Sequence, residues 1–107
     1  MSAKPVVPSE RARQDLAEAV RYYRREAGEG VAIELVSTIQ AALQALARRP
    51  GAGSLRYGQM IGMADLRSWP LGRYPYLVFY VERVDQIDVW RILHTRRDIA
   101  ARLGEPQ

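Results

Sequence analysis

Two apolar runs joined by a short polar segment constrain this chain more than anything else in it. Tyr74–Val81 and Ile87–Leu93 are dominated by β-branched and aromatic residues, with the polar Glu82–Gln86 between them. That pattern predicts a β-hairpin of two well-buried strands. Leu66–Leu71 precedes them and reads as a further strand; Pro70 cannot donate to a ladder, which places it at a sheet edge. The stretch from Leu66 to Asp98 also holds both Trp and the only His. The hairpin, and the basic segment that leaves it, are therefore expected to carry or position whatever the chain does.

Two amphipathic helices are predicted ahead of the hairpin. Ser9 follows Pro8 and suits an N-cap. Beyond it Ala12, Leu16, Ala19, Val20, Tyr23 and Ala27 recur at helical spacing, opposite Arg13, Glu18, Arg21 and Arg25. The first helix thus spans Glu10–Ala27, and Gly28-Glu29-Gly30 ends it. The second starts near Val31, with Ala32, Leu35, Val36, Ile39, Ala42, Leu43 and Leu46 on one stripe. It stops at Arg48-Arg49-Pro50-Gly51, cations at the negative helix end and Pro and Gly beyond. A short link between two such helices makes an antiparallel αα-hairpin whose apolar faces need a sheet to cover.

Lys4–Val7 reads as a first edge strand, Pro50–Ala64 with its Gly at 51, 53, 58 and 62 as a loop, and Arg97–Leu103 as a short C-terminal helix. The order β-α-α-β-β-β, closed by that helix, argues for an α+β fold. In it the αα-hairpin packs on one face of a small, mainly antiparallel sheet, in a single domain over residues 1–107.

Composition narrows the chemistry. At 107 residues and 48% hydrophobic the chain can bury a core without staples. With no Cys there is no disulfide, thiolate zinc site or Cys nucleophile, and a reducing cytoplasm is the expected location. No apolar run approaches the roughly 20 residues of a membrane span, and the N-terminal MSAKPVVPSE lacks a signal-peptide pattern. A net charge of +4, with Arg supplying all but Lys4 of the sixteen basic residues, permits a nucleic-acid or acidic-protein partner.

No phosphate-cradling glycine loop, metal-ligand pair or Ser/His/Asp arrangement stands out, and one His without Cys leaves only carboxylates for a metal. Neither metal nor cofactor is expected. His94 has two readings: a general base, since its ordinary pKa of about 6.5 suits that role, or a strand-end residue tying down the C-terminal segment by a hydrogen bond. Arg67, Arg73 and Arg91 lie in strands or at their ends. Alternation groups Arg67 with Trp69 and Leu71, and Arg91 with Ile87, Val89 and Leu93. An Arg among apolar residues requires a carboxylate or a ligand anion; Asp98 and Asp65 are the partners considered. Tyr74, Tyr76, Phe79, Tyr80 and Trp90 are expected at the core or its margin.

Several of these pieces meet in one family. Ser9 with Asp15-Leu16 opens the first helix, Leu46 with Arg49-Pro50 ends the second, and Leu66-Arg67 follows the loop. Then come Arg73-Tyr74-Pro75-Tyr76-Leu77-Val78-Phe79-Tyr80 and Arg91-Ile92-Leu93-His94-Thr95-Arg96-Arg97-Asp98. Together and in order they resemble the ParE-like branch of the RelE/ParE toxin superfamily of type II toxin–antitoxin modules. The resemblance implies a growth-inhibiting, plasmid-stabilising type of protein that binds DNA gyrase and is neutralised by a ParD-like antitoxin. Operator DNA would be met only through the antitoxin, and no membrane is involved. Antitoxin contacts are then expected at Leu16, Val20, Tyr23, Leu35 and Ile39.

The related RelE-type members cut messenger RNA on the ribosome, and the shared fold does not choose between the activities. Under that alternative His94, Arg67, Arg73 and Arg91 would gather around the scissile phosphate. The only Lys is Lys4 and no Tyr follows Tyr80, so proton transfer would rest on His94 alone. A third reading is an inactive relative that only binds antitoxin.

Overall fold

A computed structural model describes residues 4–96 and 98–105 of the chain. Its elements are β1 (Val6–Pro8), α1 (Glu10–Ala27), α2 (Glu29–Arg48), a 3₁₀ turn (Pro50–Ala52), α3 (Arg56–Ile61), β2 (Leu66–Leu71), β3 (Tyr74–Glu82), β4 (Ile87–His94) and α4 (Ile99–Leu103). The four strands form one sheet in the order β1-β4-β3-β2, with β1 parallel to β4 and the other pairs antiparallel. The α+β architecture and the edge positions of β1 and β2 match the sequence expectation.

Ser9 starts α1 and fastens it to the sheet at once. Its Oγ accepts from the Ala12 N–H (3.0 Å) and donates to the Trp90 carbonyl (2.7 Å), and its own N–H donates to the Val89 carbonyl (2.9 Å). The αα-hairpin lays Ala12, Ala19, Leu35, Ile39 and Leu46 against Val78, Tyr80, Val89 and Ile92. On the opposite face Leu66, Phe79, Val81 and Leu93 are covered by α4, through Ile99 and Leu103, and by Tyr57 and Ile61 of α3. Both faces of the sheet are therefore covered.

Several expectations are corrected. The first strand is Val6–Pro8 rather than Lys4–Val7. Gly28 alone links the first two helices, because its φ of +94° makes the reversal in one residue and α2 resumes at Glu29. Pro50–Ala64 is not plain loop: it folds into the 3₁₀ turn and α3. Asp98 caps α4 by accepting from the Ala101 N–H, so the helix starts at Ile99; Arg97, its expected start, lies outside the described residues. By length and composition α2 would suit a membrane span, yet its stripe of buried residues faces this core.

Strict alternation fails along β4. The β3–β4 register shifts between Phe79 and Tyr80, which pair with Arg91 and Val89, so Trp90 is an extra, bulged residue. Past the bulge the faces exchange: Ile92 joins the cluster of Ile87 and Val89, and Leu93 joins the opposite one. Arg91 consequently does not share a face with Ile87 and Val89.

Candidate functional site

The bulge aims Arg91 at the open flank of β4, beyond the point where β1 ends. There the guanidinium is enclosed, with 2% of its side chain exposed. Nε donates to Asp15 Oδ2 (2.8 Å) and Nη2 to Asp15 Oδ1 (2.9 Å), a bidentate pair between β4 and α1. Asp15 Oδ2 also accepts from the Ile92 N–H (3.0 Å), so one carboxylate occupies the strand edge that β1 leaves uncovered. Nη1 donates to the Arg102 carbonyl (2.9 Å) and to Glu105 Oε1 (3.0 Å), drawing in the end of α4. The charge is thus compensated on both sides, as burial requires. The partners considered from sequence, Asp98 and Asp65, are not those used.

Glu105 collects further cations. Arg11 Nη2 lies 3.1 Å and Arg102 Nη1 3.6 Å from the same Oε1. The Arg91 hydrogen bond holds the Glu105 carboxyl below the usual carboxylate range, and the charges of Arg102 and Arg11 add to it.

Above this network opens a cleft of about 680 Å³ between α1, β4 and the end of α4. Glu18, Tyr22, Tyr76, His94 and Arg96 line it beside the ion pairs. His94 Nδ1 accepts from the Arg96 N–H (3.0 Å), and its ring meets Tyr76 edge-on at 5.1 Å. That hydrogen bond is of the kind the strand-end reading expects. Tyr23 continues the aromatic row, edge-on to Tyr22 (5.3 Å) and Tyr74 (5.4 Å).

The four residues of the nuclease alternative are not gathered at one point. Arg91 and His94 line the cleft. Arg67 is two strands away on β2, its Nη1 donating to the Gly53 carbonyl (2.8 Å). Arg73, in the β2–β3 turn, lies 3.4 Å from Glu34 of α2. Among the residues expected to meet a partner, Leu35 and Ile39 are 0% and 2% exposed and belong to the core, because α2 turns that stripe onto the sheet. Leu16, Val20 and Tyr23 are only partly buried and keep an outward edge.

Sequence reasoning missed Arg11, Arg102 and Glu105 altogether. The pattern of opposite charges was visible, but Arg11 and Glu105 are 94 positions apart and nothing local pairs them.

The sequence model of the family described as "ParE toxin of type II toxin-antitoxin system, parDE" matches residues 6–99. Among solved structures, the chain is similar to one titled "Chromosomal ParDE TA system from P. aeruginosa". The two share 19% identity and a TM-score of 0.74 over 88% of this chain and 98% of that one. No curated protein sequence matches.

Proposed function

The chain belongs to the ParE toxin family of type II toxin–antitoxin systems, and from that premise we propose that it is the growth-inhibiting half of such a module. In this reading it acts on DNA gyrase by docking, and a ParD-like antitoxin neutralises it. The observation that carries docking over bond-breaking is how the basic residues are committed. Arg91 is spent on Asp15 and Glu105, and Arg67 on a loop carbonyl across the sheet. Cutting a phosphodiester needs an acid, a base and cations converging on one phosphate, and of the four residues that the nuclease reading names only Arg91 and His94 share a cleft. The outward edges of Leu16, Val20 and Tyr23 and the Arg-rich flank offer an apolar and basic surface. An antitoxin segment that folds on contact would suit it.

The test is twofold. Expressed without an antitoxin, the chain should arrest growth, and the purified protein should inhibit gyrase supercoiling and raise gyrase-dependent DNA cleavage, with ParD-like antitoxin reversing both. Unimpaired growth sinks the toxin reading. Arrest with untouched gyrase sinks the target, and ribosome-dependent transcript cleavage lost in His94→Ala replaces it with the nuclease.

A further inference from the structure

We propose that Arg11, Arg91 and Arg102 form a carboxylate-binding site, that Glu105 fills it from within the chain, and that an acidic side chain of a peptide partner displaces Glu105. The identity of that partner rests on the toxin–antitoxin reading; the site itself does not.

Three guanidinium groups from α1, β4 and α4 converge on a single oxygen, Glu105 Oε1, at 3.1, 3.0 and 3.6 Å. Their needs differ. Arg91 already has the bidentate Asp15 and keeps its counter-charge without Glu105. Arg11 and Arg102, by contrast, have no ion-pair partner but Glu105 among the described residues. The occupant is also loosely moored. Glu105 is 35% exposed, follows Gly104 past the end of α4, and its N–H makes one backbone bond, to the Arg102 carbonyl (3.2 Å). The residues that anchor α4 in the core, Ile99 and Leu103, come before it. Glu105 can therefore leave without unpacking the helix, exposing three guanidinium groups of which Arg91 stays fixed by Asp15.

A carboxylate suits this site better than a nucleic-acid phosphate. Asp15 sits on the adjoining edge of Arg91 and Glu18 lines the cleft. A chain of closely spaced phosphates would have to run past both acids. An extended peptide can present one carboxylate between neutral residues.

The probe is a rhodamine-labelled peptide with glutamates spaced by alanines, its affinity for the purified chain measured by fluorescence anisotropy at low salt. Glu105→Gln should bind it about tenfold more tightly than the unaltered chain, the gain expected from freeing charge-assisted donors. Glu18→Gln makes the same charge change in the same cleft away from the three arginines, and should alter affinity by less than about twofold. Adding Arg11→Gln and Arg102→Gln to Glu105→Gln should abolish the gain. A chain ending at Gly104 serves as the second variant should Glu105→Gln lose its fold by circular dichroism. Equal binding by Glu105→Gln and the unaltered chain overturns the proposal, as does an equal gain in Glu18→Gln or a gain that survives loss of both arginines. A labelled oligothymidylate showing the same preference for Glu105→Gln overturns it in favour of a phosphate site. The assay contains no antitoxin, so it fails or succeeds independently of the module reading.

Discussion

Enclosing a guanidinium as fully as that of Arg91 makes the rest of the molecule answer to one residue. Asp15 supplies both oxygens to it and also satisfies the Ile92 N–H, so removing that carboxylate strands a buried charge and a strand-edge donor together. Asp15→Ala is expected to cost about 3–5 kcal/mol in urea unfolding. Adding Arg91→Met should recover the part of the loss due to the stranded charge but not the part due to the Ile92 N–H, because an apolar side chain needs no counter-charge. A single-mutant loss below about 1 kcal/mol would mean that Arg91 finds another partner. The need for a partner was legible in the sequence, since an Arg inside an apolar strand requires one wherever the bulge turns it. The identity of the partner was not: Asp15 is 76 positions away. The Trp90 bulge, which decides which way Arg91 points, has no glycine or other marker to announce it. His94 offered two roles from sequence, and its bond to the Arg96 N–H is one that the strand-end reading expects.

At the level of elements, what could be read off depended on how a helix earns its place. The first two helices are long, with continuous apolar stripes, and Glu10–Ala27 was legible to the residue through its cap and its terminating glycine. Short α3 hides because six residues give hardly two turns of periodicity and Gly58 argues against a helix. Gly58 is there for another reason. A Cβ on it would meet the backbone carbonyl oxygens of Met63 and Leu66, the latter at 2.6 Å. Both belong to the segment that brings the chain into β2, so the helix can lie against that strand only with hydrogen at this position. Gly58→Ala should destabilise the protein by about 1–3 kcal/mol or more, since backbone rather than a flexible side chain must yield. Gly30→Ala, in α2 with open space around it, should leave stability unchanged or raise it by up to about 1 kcal/mol. Thermal melts of the two variants check the contrast; equal effects would show that α3 can lift away from β2.

Across the whole molecule, acidic side chains tie together parts of the chain that are far apart in sequence. Lys4 meets Glu82, Asp15 meets Arg91, the Tyr74 hydroxyl donates to Glu34, and Glu105 meets Arg11 and Arg91. Glu105 is held below its ordinary pKa by the Arg91 hydrogen bond, and Asp88 by hydrogen bonds from Gln86 and then Arg83. For a carboxyl depressed in the folded state, the stabilising contribution is complete above its unfolded pKa, about 4, and is lost as pH falls through the lower folded value. Urea midpoints should therefore gain nothing from these two groups between neutral pH and about 5, and fall below about 4. Glu105→Gln should flatten part of that acid limb; an unchanged limb would show that the carboxyl is not linked to folding. These ties also set an order of events. Val6–Pro8 pairs with Ile87–Val89, and Ser9 is fastened to Val89 and Trp90. Strand β1 therefore has no partner in the sheet until the residues around position 90 have been made. During synthesis that segment waits for one far along the chain, and the sheet closes only after the later stretch has left the ribosome.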